Sequence, residues 1–451
     1  MQTSHAPQEP NSKGTKNFGS GGLGSLPASA EVHRADNGAA VSLKALLHSG
    51  ERPPVWSLDE RMRHIPRPLA DVFACGQAEV TEVRLASGRL IEVASGSRML
   101  TIDGWRRRDE LAVDDRIAIP RWIPAPLATD EMPDPEVILL AHMIGDGSCV
   151  KRQPIRYASI DEENMSAVAT AATHFGITAI RDEYAAARVT TLRLPAPYRL
   201  THGRRNPIAA WLDGLGLFGL RSYEKFIPER VFALPTAQVA IFLRHLWATD
   251  GSIRWDARGH QARIYYASTS WRLICDVANL LLRLEVHGRI KRVRKPGYRD
   301  CFHLTIDGVD NQSTFLCDIG AHGARGIAGE AALAHLNTMD SNPNVDTIPK
   351  EIWIRIKTLL EARGMTHREF QAAMSSRYSG SNFWKYSPSR WRLSRAADIL
   401  DAPELAAFCK NDLLWDRITA ITDLGRQDVF AAYVPGTENL VAQGVSIYAG
   451  R

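Results

Sequence analysis

Two short segments, 104 residues apart, constrain this 451-residue chain more than any others. One runs from Leu139 through Ala141, His142 and Gly145 to Asp146-Gly147. The other runs from Leu243 through His245, Trp247 and Thr249 to Asp250-Gly251. Each is an apolar run that ends in Asp-Gly, which predicts a buried helix. The Gly is expected to stop the helix, because Gly tolerates the left-handed turn beyond a helix end. Each segment then delivers one carboxylate at the end of a buried helix. If the helices pack side by side, Asp146 and Asp250 meet. Adjacent carboxylates repel and are costly to bury unless a cation lies between them, and hard divalent cations such as Mg²⁺ take oxygen ligands of this kind. Asp-Gly at a helix end is also common with no function, so the weight lies in the repetition.

The flanking sequence repeats too. Ile155-Arg156-Tyr157-Ala158-Ser159 recurs as Ile264-Tyr265-Tyr266-Ala267-Ser268, now offset by 109. Apolar helical runs follow both, ending at Phe175-Gly176-Ile177 and Leu284-Glu285-Val286. Alternating strands close the units, Val189 to Leu194 and Cys301 to Ile306. The drift in offset is expected to reflect a longer first loop in the second unit, around Asp256 to His260. Each unit reads helix, strand, strand, helix, strand. A repeat of this length predicts two similar subdomains about a pseudo-twofold axis that runs between the Asp-Gly helices.

These motifs resemble the paired helices of LAGLIDADG homing endonucleases in their single-chain, two-repeat form. The resemblance implies that Asp146 and Asp250 are catalytic and hold Mg²⁺ or Mn²⁺ together with Gly145 and Thr249. It further implies double-stranded DNA with a long recognition site as partner, each site cutting one strand. The third motif position, usually Gly for close helix approach, is Ala141 and His245 here. Ala141 still permits a close crossing, whereas His245 must be accommodated by its partner helix. Ser222 to Pro228 resembles the Lys-x-Ile-Pro block that precedes the second motif in intein endonucleases. Its Lys225, 25 residues before Asp250, is the candidate to stabilise developing charge or help activate water. The alternative is a surface lysine before a proline-started helix. For the other site only Lys291 and Lys295 offer themselves.

The net charge of +5 is too weak to establish a nucleic-acid partner. Its distribution says more. Arg289, Lys291, Arg292, Arg294, Lys295 and Arg299 crowd the strand region of the second repeat, with Arg152 and Arg156 in the first. Alternate strand residues share a face, so part of this set can line a surface for phosphates. Six cysteines without CxxC spacing read as reduced, packed thiols of a cytoplasmic protein. No run has the length and apolarity of a membrane span, and no small-molecule substrate is implied. One chain already supplies both halves of the pseudo-dimer, so a monomer is expected.

Outside the repeats, residues 1–24 are polar and aperiodic and read as a disordered tail. From there to about 125 the pattern is β-rich. Val80 to Leu85, a Ser87-Gly88 turn and Arg89 to Val93 make a hairpin, and short strands return near Asp428 to Phe430 and Leu440 to Ile447. One β domain split by a long insertion explains both ends. These ends resemble an intein of the replicative-helicase type: Pro54 to Asp59, Leu100 to Trp105, Ile117 to Arg121, Trp415 to Ile418 and Val434 to Asn439 match its splicing blocks.

An active intein would carry a Thr, a His, an acid, a His and an Asn where this chain has Ser95, Arg98, Ala431, Tyr448 and Ala449. A guanidinium stays charged and shuttles no proton near neutral pH, and Ala449 has no amide to cyclise. No Cys stands near the expected start, and Ser25 and Ser29 are unconvincing nucleophiles. The resemblance therefore implies a free-standing relic that no longer splices.

A helical segment follows the repeats. Thr366 to Glu369 is a capping box, and two helices about Gly364 suggest a helix-turn-helix-like module. Arg377, Tyr378, Trp384, Lys385, Tyr386 and Arg390 there either contact DNA or belong to a helical spacer. The expected architecture is α+β: a two-repeat LAGLIDADG endonuclease domain, 133–345 (repeats 133–235 and 236–345), inserted in an all-β Hint-like domain, 25–125 and 411–449, plus the helical module, 346–410. The function this predicts is site-specific double-strand DNA cleavage. The alternatives are a DNA-binding regulator of the same fold without cleavage, and splicing by an unusual route.

Overall fold

The computed structural model describes residues 24–182, 189–201, 203–294, 296–340 and 346–450. Most of the expected tail, residues 1–23, lies outside them. So does Lys295.

Two four-stranded antiparallel sheets form from the repeats. One is ordered Gly147–Ser148, Arg156–Ser159, Thr190–Arg193, Ile180–Asp182; the other Gly251–Asp256, Gln261–Ser268, Cys301–Ile306, Gly288–Val293. The order is the same in both, so the repeats share a topology. Each unit has one strand more than the sequence reading allowed. Ile180–Asp182 is three edge residues without alternation, and Gly288–Val293 carries charges at both ends of its alternation. The extra residues of the second unit also lie elsewhere than expected. They lengthen the hairpin strands, which pair from Gly251 with Tyr266 out to Asp256 with Gln261, rather than the loop.

The shared Ala-Ser ends a strand in each unit, and two residues later stands a helix cap. Asp161 accepts from the backbone N–H groups of Glu163 and Asn164 to open Glu162–Thr173. Ser270 accepts from Leu273 to open Trp271–Leu281. These caps satisfy backbone donors that a helix start leaves free. Between the sheets run the motif helices, Asp134–Gly145 and Thr236–Asp250, which pack on each other. Val137, Leu139, Leu140, Phe242, Leu243 and Leu246 are fully buried there. Each such side chain contributes roughly 1.5–3 kcal/mol, and one hydrophobic cluster runs from Met132 to Leu336.

A second cluster joins both ends of the chain, from Leu26 to Ile119 and from Ile418 to Ala449. Its long strands are Asp71–Leu85 and Leu413–Tyr433, paired antiparallel with bulges. The short strand read at Asp428 to Phe430 is part of a much longer element, Leu413–Tyr433, whose register shifts interrupt the alternation. A third cluster packs the helices Ile352–Ala362, His367–Ala373, Arg390–Ile399 and Pro403–Cys409 against Leu58, Ile102, Leu413 and Trp415. The helical segment thus shares a core with the β part. The β part also touches the repeats: Ile290 donates its N–H to the Ser87 carbonyl at 2.7 Å. Gly88 (φ +83°) is needed there, since a Cβ would lie 1.9 Å from the Ile290 oxygen. Among the described residues no helix is long and apolar enough to cross a membrane.

Candidate active site

The motif helices end side by side. Asp146 is the cap residue of the first, and Asp250 is the last residue of the second. Close approach is what their glycines provide. A Cβ on Gly145 would lie 2.0 Å from Thr249 Oγ1. On Gly147 it would meet the Met143 Cα at 2.5 Å, and on Gly251 the Trp247 oxygen at 2.2 Å. The expected left-handed stop is absent: Gly251 is extended (φ −77°, ψ 161°), and Gly147 is not among the residues with positive φ. Both glycines follow Asp because the chain must turn directly into a strand against its own helix.

Each helix end is capped by one buried or half-buried cation. Lys225, 6% exposed, donates from Nζ to the carbonyls of Met143, Gly145 and Gly147 at 2.9–3.0 Å. Arg325 donates from Nε to the Gly251 carbonyl at 2.6 Å, and its Nη1 also bonds the Ala248 carbonyl. Free carbonyls and the negative end of the helix dipole both favour a cation at this point. Lys225 therefore caps the first helix, while of the two carboxylates Asp250, beside which the sequence placed it, acts on it the more strongly. The second helix is served by Arg325, which the search for a second lysine passed over. Lys225 lies 78 residues after Gly147 and Arg325 74 after Gly251. Each repeat thus caps its motif helix from its own tail, and the repeat spacing was the signal available. Lys291 is on the edge strand of the second sheet, and neither cap involves it.

The two carboxylates are poised against ionisation. Burial, and then the neighbouring Asp250, push Asp146 up to about 6, with Arg325 and Lys225 opposing. Asp250 is also raised, by burial, again opposed by Lys225 and Arg325. Its side chain is exposed, so solvent offsets part of that effect. Neither carboxylate accepts a hydrogen bond from a described residue. His245, the bulky third-position residue, is accommodated by a histidine: its Nδ1 lies 3.0 Å from His142 Nε2.

The basic residues divide by sheet face. In the second sheet Ile264, Tyr266, Leu304 and Ile290 are buried. By register the opposite face holds Arg254, Arg263, Tyr265, His303, Lys291 and Arg289. Tyr265 and His303 stack there at 4.9 Å. Arg254 and Arg263 were missed because strand register is needed to place them. Arg254, Arg289 and Lys291 are exposed and have no carboxylate partner among the described residues. Arg292 points the other way and pairs with Asp300, so it is not part of this face. Arg299 lies over the Tyr223 ring at 3.8 Å. Arg294, Arg152 and Arg156 are exposed, and Arg156 pairs in register with Arg193 on the first sheet.

Four of the five residues read from sequence as altered splicing positions, Arg98, Ala431, Tyr448 and Ala449, lie where the described chain's two ends meet. Ser25 pairs with Ala431, and its carbonyl accepts from Ser97 Oγ at 2.6 Å. The Arg98 guanidinium lies 5.3 Å from the Tyr448 ring centre, whose hydroxyl donates to Glu438 at 2.7 Å. The Ala449 N–H donates to the Glu438 carbonyl at 2.7 Å. Ser95 bonds away from this centre, to the Glu79 carbonyl at 3.2 Å. In the helical segment Arg390 is a structural tie, bonded to Asp346 and to the carbonyls of Phe408, Cys409 and Leu413. Trp384 packs on Phe370 and Phe383. Arg390 and Trp384 are only partly exposed, whereas Arg377, Tyr378, Lys385 and Tyr386 are exposed.

Comparison with known proteins bears on the whole arrangement. Residues 237–320 match the model of a LAGLIDADG-like domain. The replicative DNA helicase DnaB of Synechocystis sp. is 35% identical over 436 residues, 94% of this chain and 49% of that protein. Its counterpart in Rhodothermus marinus is 36% identical over 416 residues, 91% of this chain and 44% of that protein. The chain thus spans about half the length of the curated relatives it matches. Among solved structures, I-DmoI in complex with DNA and Mn is similar with a TM-score of 0.30 at 14% identity, covering 41% of this chain and 96% of that one. The recognition drawn from the two Asp-Gly motifs stands to this extent: residues 237–320 carry a LAGLIDADG-like domain, most of the chain is similar to replicative DNA helicases DnaB, and the fold mixes helix and sheet.

Proposed function

We propose that this protein is a site-specific double-strand DNA endonuclease, and that its β part is a splicing-dead intein relic. The observation that carries the reading is the pair Asp146 and Asp250 at adjoining helix ends, with no hydrogen-bond partner among the described residues. Carboxylates left in this state fit a divalent cation, Mg²⁺ or Mn²⁺, which would neutralise both. They would hold it with backbone oxygens at Thr249. Gly145 is a poorer ligand than the sequence suggested, because its carbonyl already accepts from Lys225. Bound there, the metal would polarise a phosphodiester and lower the pKa of an attacking water. Lys225 and Arg325 fix the helix ends and so the distance between the carboxylates; they are positioning groups. The free cations Arg254, Arg289 and Lys291 supply phosphate contacts for duplex DNA.

The endonuclease unit we assign to residues 133–345, the Hint-like β domain to 25–125 and 411–449, and the helical module to 346–410. Loss of splicing is supported by chemistry at the chain-end centre. Arg98 is held against Tyr448 as a permanent cation, and Ala449 offers only backbone to its surroundings. A monomer binding one long duplex site follows from the two linked repeats.

The test is incubation of the purified chain with Mg²⁺ or Mn²⁺ and DNA spanning its own genomic neighbourhood, with mapping of cut ends. Asp250→Asn should abolish double-strand cleavage and leave DNA binding within a few-fold. Full cleavage by that variant would remove Asp250 from the site, and metal-dependent binding without any cut would favour a regulator.

A further inference from the structure

Three histidines meet in the helix interface beneath the carboxylate pair. His142 and His245 come from the two motif helices, and His322 from the segment before the helix Ala324–Leu336. One ring nitrogen of each lies within 4.8 Å of the other two. His142 is fully buried, His245 is 6% exposed and His322 is half-buried. His142 Nε2 and His245 Nδ1 are 3.0 Å apart, and the rings of His245 and His322 stack at 4.5 Å.

The surroundings decide which nitrogens face inward. Asn164 is fully buried, and its Nδ2 donates to the Ala248 carbonyl at 3.2 Å. That bond fixes its amide so that Oδ1 faces His322 Nδ1, at 2.8 Å. An amide oxygen only accepts, so His322 carries its proton on Nδ1 and leaves a lone pair on Nε2. His142 Nδ1 lies 3.0 Å from the Tyr157 hydroxyl, whose oxygen can accept its proton; the hydrogen that His142 Nε2 and His245 Nδ1 now share would move to an outer ring nitrogen as a metal enters. Outer hydrogen bonds that orient imidazoles in this way are what metal-ligating histidines have. Burial keeps all three rings neutral, the form that binds metal.

We propose that His142, His245 and His322 form a site for Zn²⁺ or a similar imidazole-preferring divalent metal, separate from the carboxylate pair. Three neutral nitrogens suit Zn²⁺, Co²⁺ or Ni²⁺ and not Mg²⁺. A tetrahedral Zn²⁺ with ligands near 2.1 Å places its nitrogens about 3.4 Å apart. The nitrogens of His142 and His245, 3.0 Å apart, have to part by a few tenths of an ångström, and the half-buried His322 has to swing inward. The fourth position is left to water. His142 precedes Asp146 by one helical turn, so the two sites lie about 6 Å apart along the helix. The metal would tie both repeats and the tail of the second together at their interface, and so hold the spacing between the helix ends.

The experiment uses the full chain without a histidine tag, stripped with chelator, then titrated with Co²⁺ and Zn²⁺. Wild type should give the intense visible bands of low-coordinate Co²⁺, saturating at one equivalent and displaced by Zn²⁺, with a rise in Tm. His322→Ala should lose the bands and at least a hundredfold in Zn²⁺ affinity, while its metal-free Tm and circular dichroism stay those of wild type. The double variant Asp146→Asn, Asp250→Asn should keep the bands, which separates this site from the carboxylates. Should His322→Ala unfold, His245→Asn with the same readouts replaces it. Only weak octahedral Co²⁺ bands in wild type, or bands that survive both histidine variants, would overturn the proposal, as would bands lost with the Asp pair and kept without His322.

Discussion

Replacing Asp146 by Asn should stabilise the metal-free protein and abolish its function. Asp146 titrates near 6 in the folded chain, against 3.8 for the free side chain. At about 1.4 kcal/mol per tenfold change in proton affinity, ionising it in the fold is about 3 kcal/mol harder than in the unfolded chain. Below pH 3.8 the group is protonated in both states and costs nothing. Between 3.8 and 6 the unfolded chain gives up its proton first, so the native state loses stability as pH rises. Above 6 the penalty is complete. Asn carries no such penalty and suits a helix cap. Because Asp146 is partly open to solvent, we expect about half of the 3 kcal/mol to be realised. That is roughly 3–6 °C in Tm for a unit of this size. Melting curves of both proteins in chelator at pH 4 and pH 7.5 measure it. The Tm difference should be near zero at pH 4 and favour the variant at pH 7.5. Added Mg²⁺ should then raise wild type and leave the variant unmoved. A difference independent of pH, or a variant less stable at pH 7.5, would refute the account of Asp146 as a repelled, unpartnered carboxylate.

Gly145→Ala should cost roughly 1–3 kcal/mol by urea unfolding, because its Cβ would press on Thr249 Oγ1 at 2.0 Å and the helices would have to part. The same variant should lower cleavage more than DNA binding. Replacing Arg289 and Lys291 together by Ala should flatten the dependence of log K on log salt by up to about 1.8, since each phosphate contact contributes ~0.9; fluorescence anisotropy at several salt concentrations reads the slope. Placed between two tagged flanking domains, the chain should leave the fusion intact, and mass spectrometry showing ligated flanks or cleavage after Ala449 would restore splicing.

The repeat made much of the two-sheet unit legible. Apolar runs, strand alternation and the caps at Asp161 and Ser270 act over a few residues, and so they recur visibly in the sequence. What the reading missed depends on register and on distant partners. Ile180–Asp182 is a strand only because Thr190–Arg193 lies beside it. Arg254 and Arg263 join the basic face through hairpin pairing, and Arg292 leaves it by one-residue alternation, which sends neighbours to opposite faces. The glycines after each Asp were visible, yet their reason was misread. A backbone clash with the preceding helix gives the same residue preference as a left-handed turn.

The site itself divides along the same line. The meeting of Asp146 and Asp250 was legible because the same carboxylate recurs at the same place in a repeated motif. Their caps were hidden because the two repeats solve one electrostatic problem with different residues. A bare helix end asks for positive charge and donors, not for a particular side chain. Lys225 meets this with three bonds from one ammonium, and Arg325 with a fork across two carbonyls. A search for a second lysine therefore fails where a search for any cation at the repeat spacing succeeds. His142 and His245 raise the same difficulty in reverse. They occupy neighbouring positions of the two motifs, and only His245 reads as a departure from the small residue expected at the third. Only when His322 arrives from the tail of the second repeat do they become a cluster. Chemistry shared between repeats is readable from one chain when each copy supplies the same atoms, and stays hidden when the copies supply the same charge or the same ligands from different places.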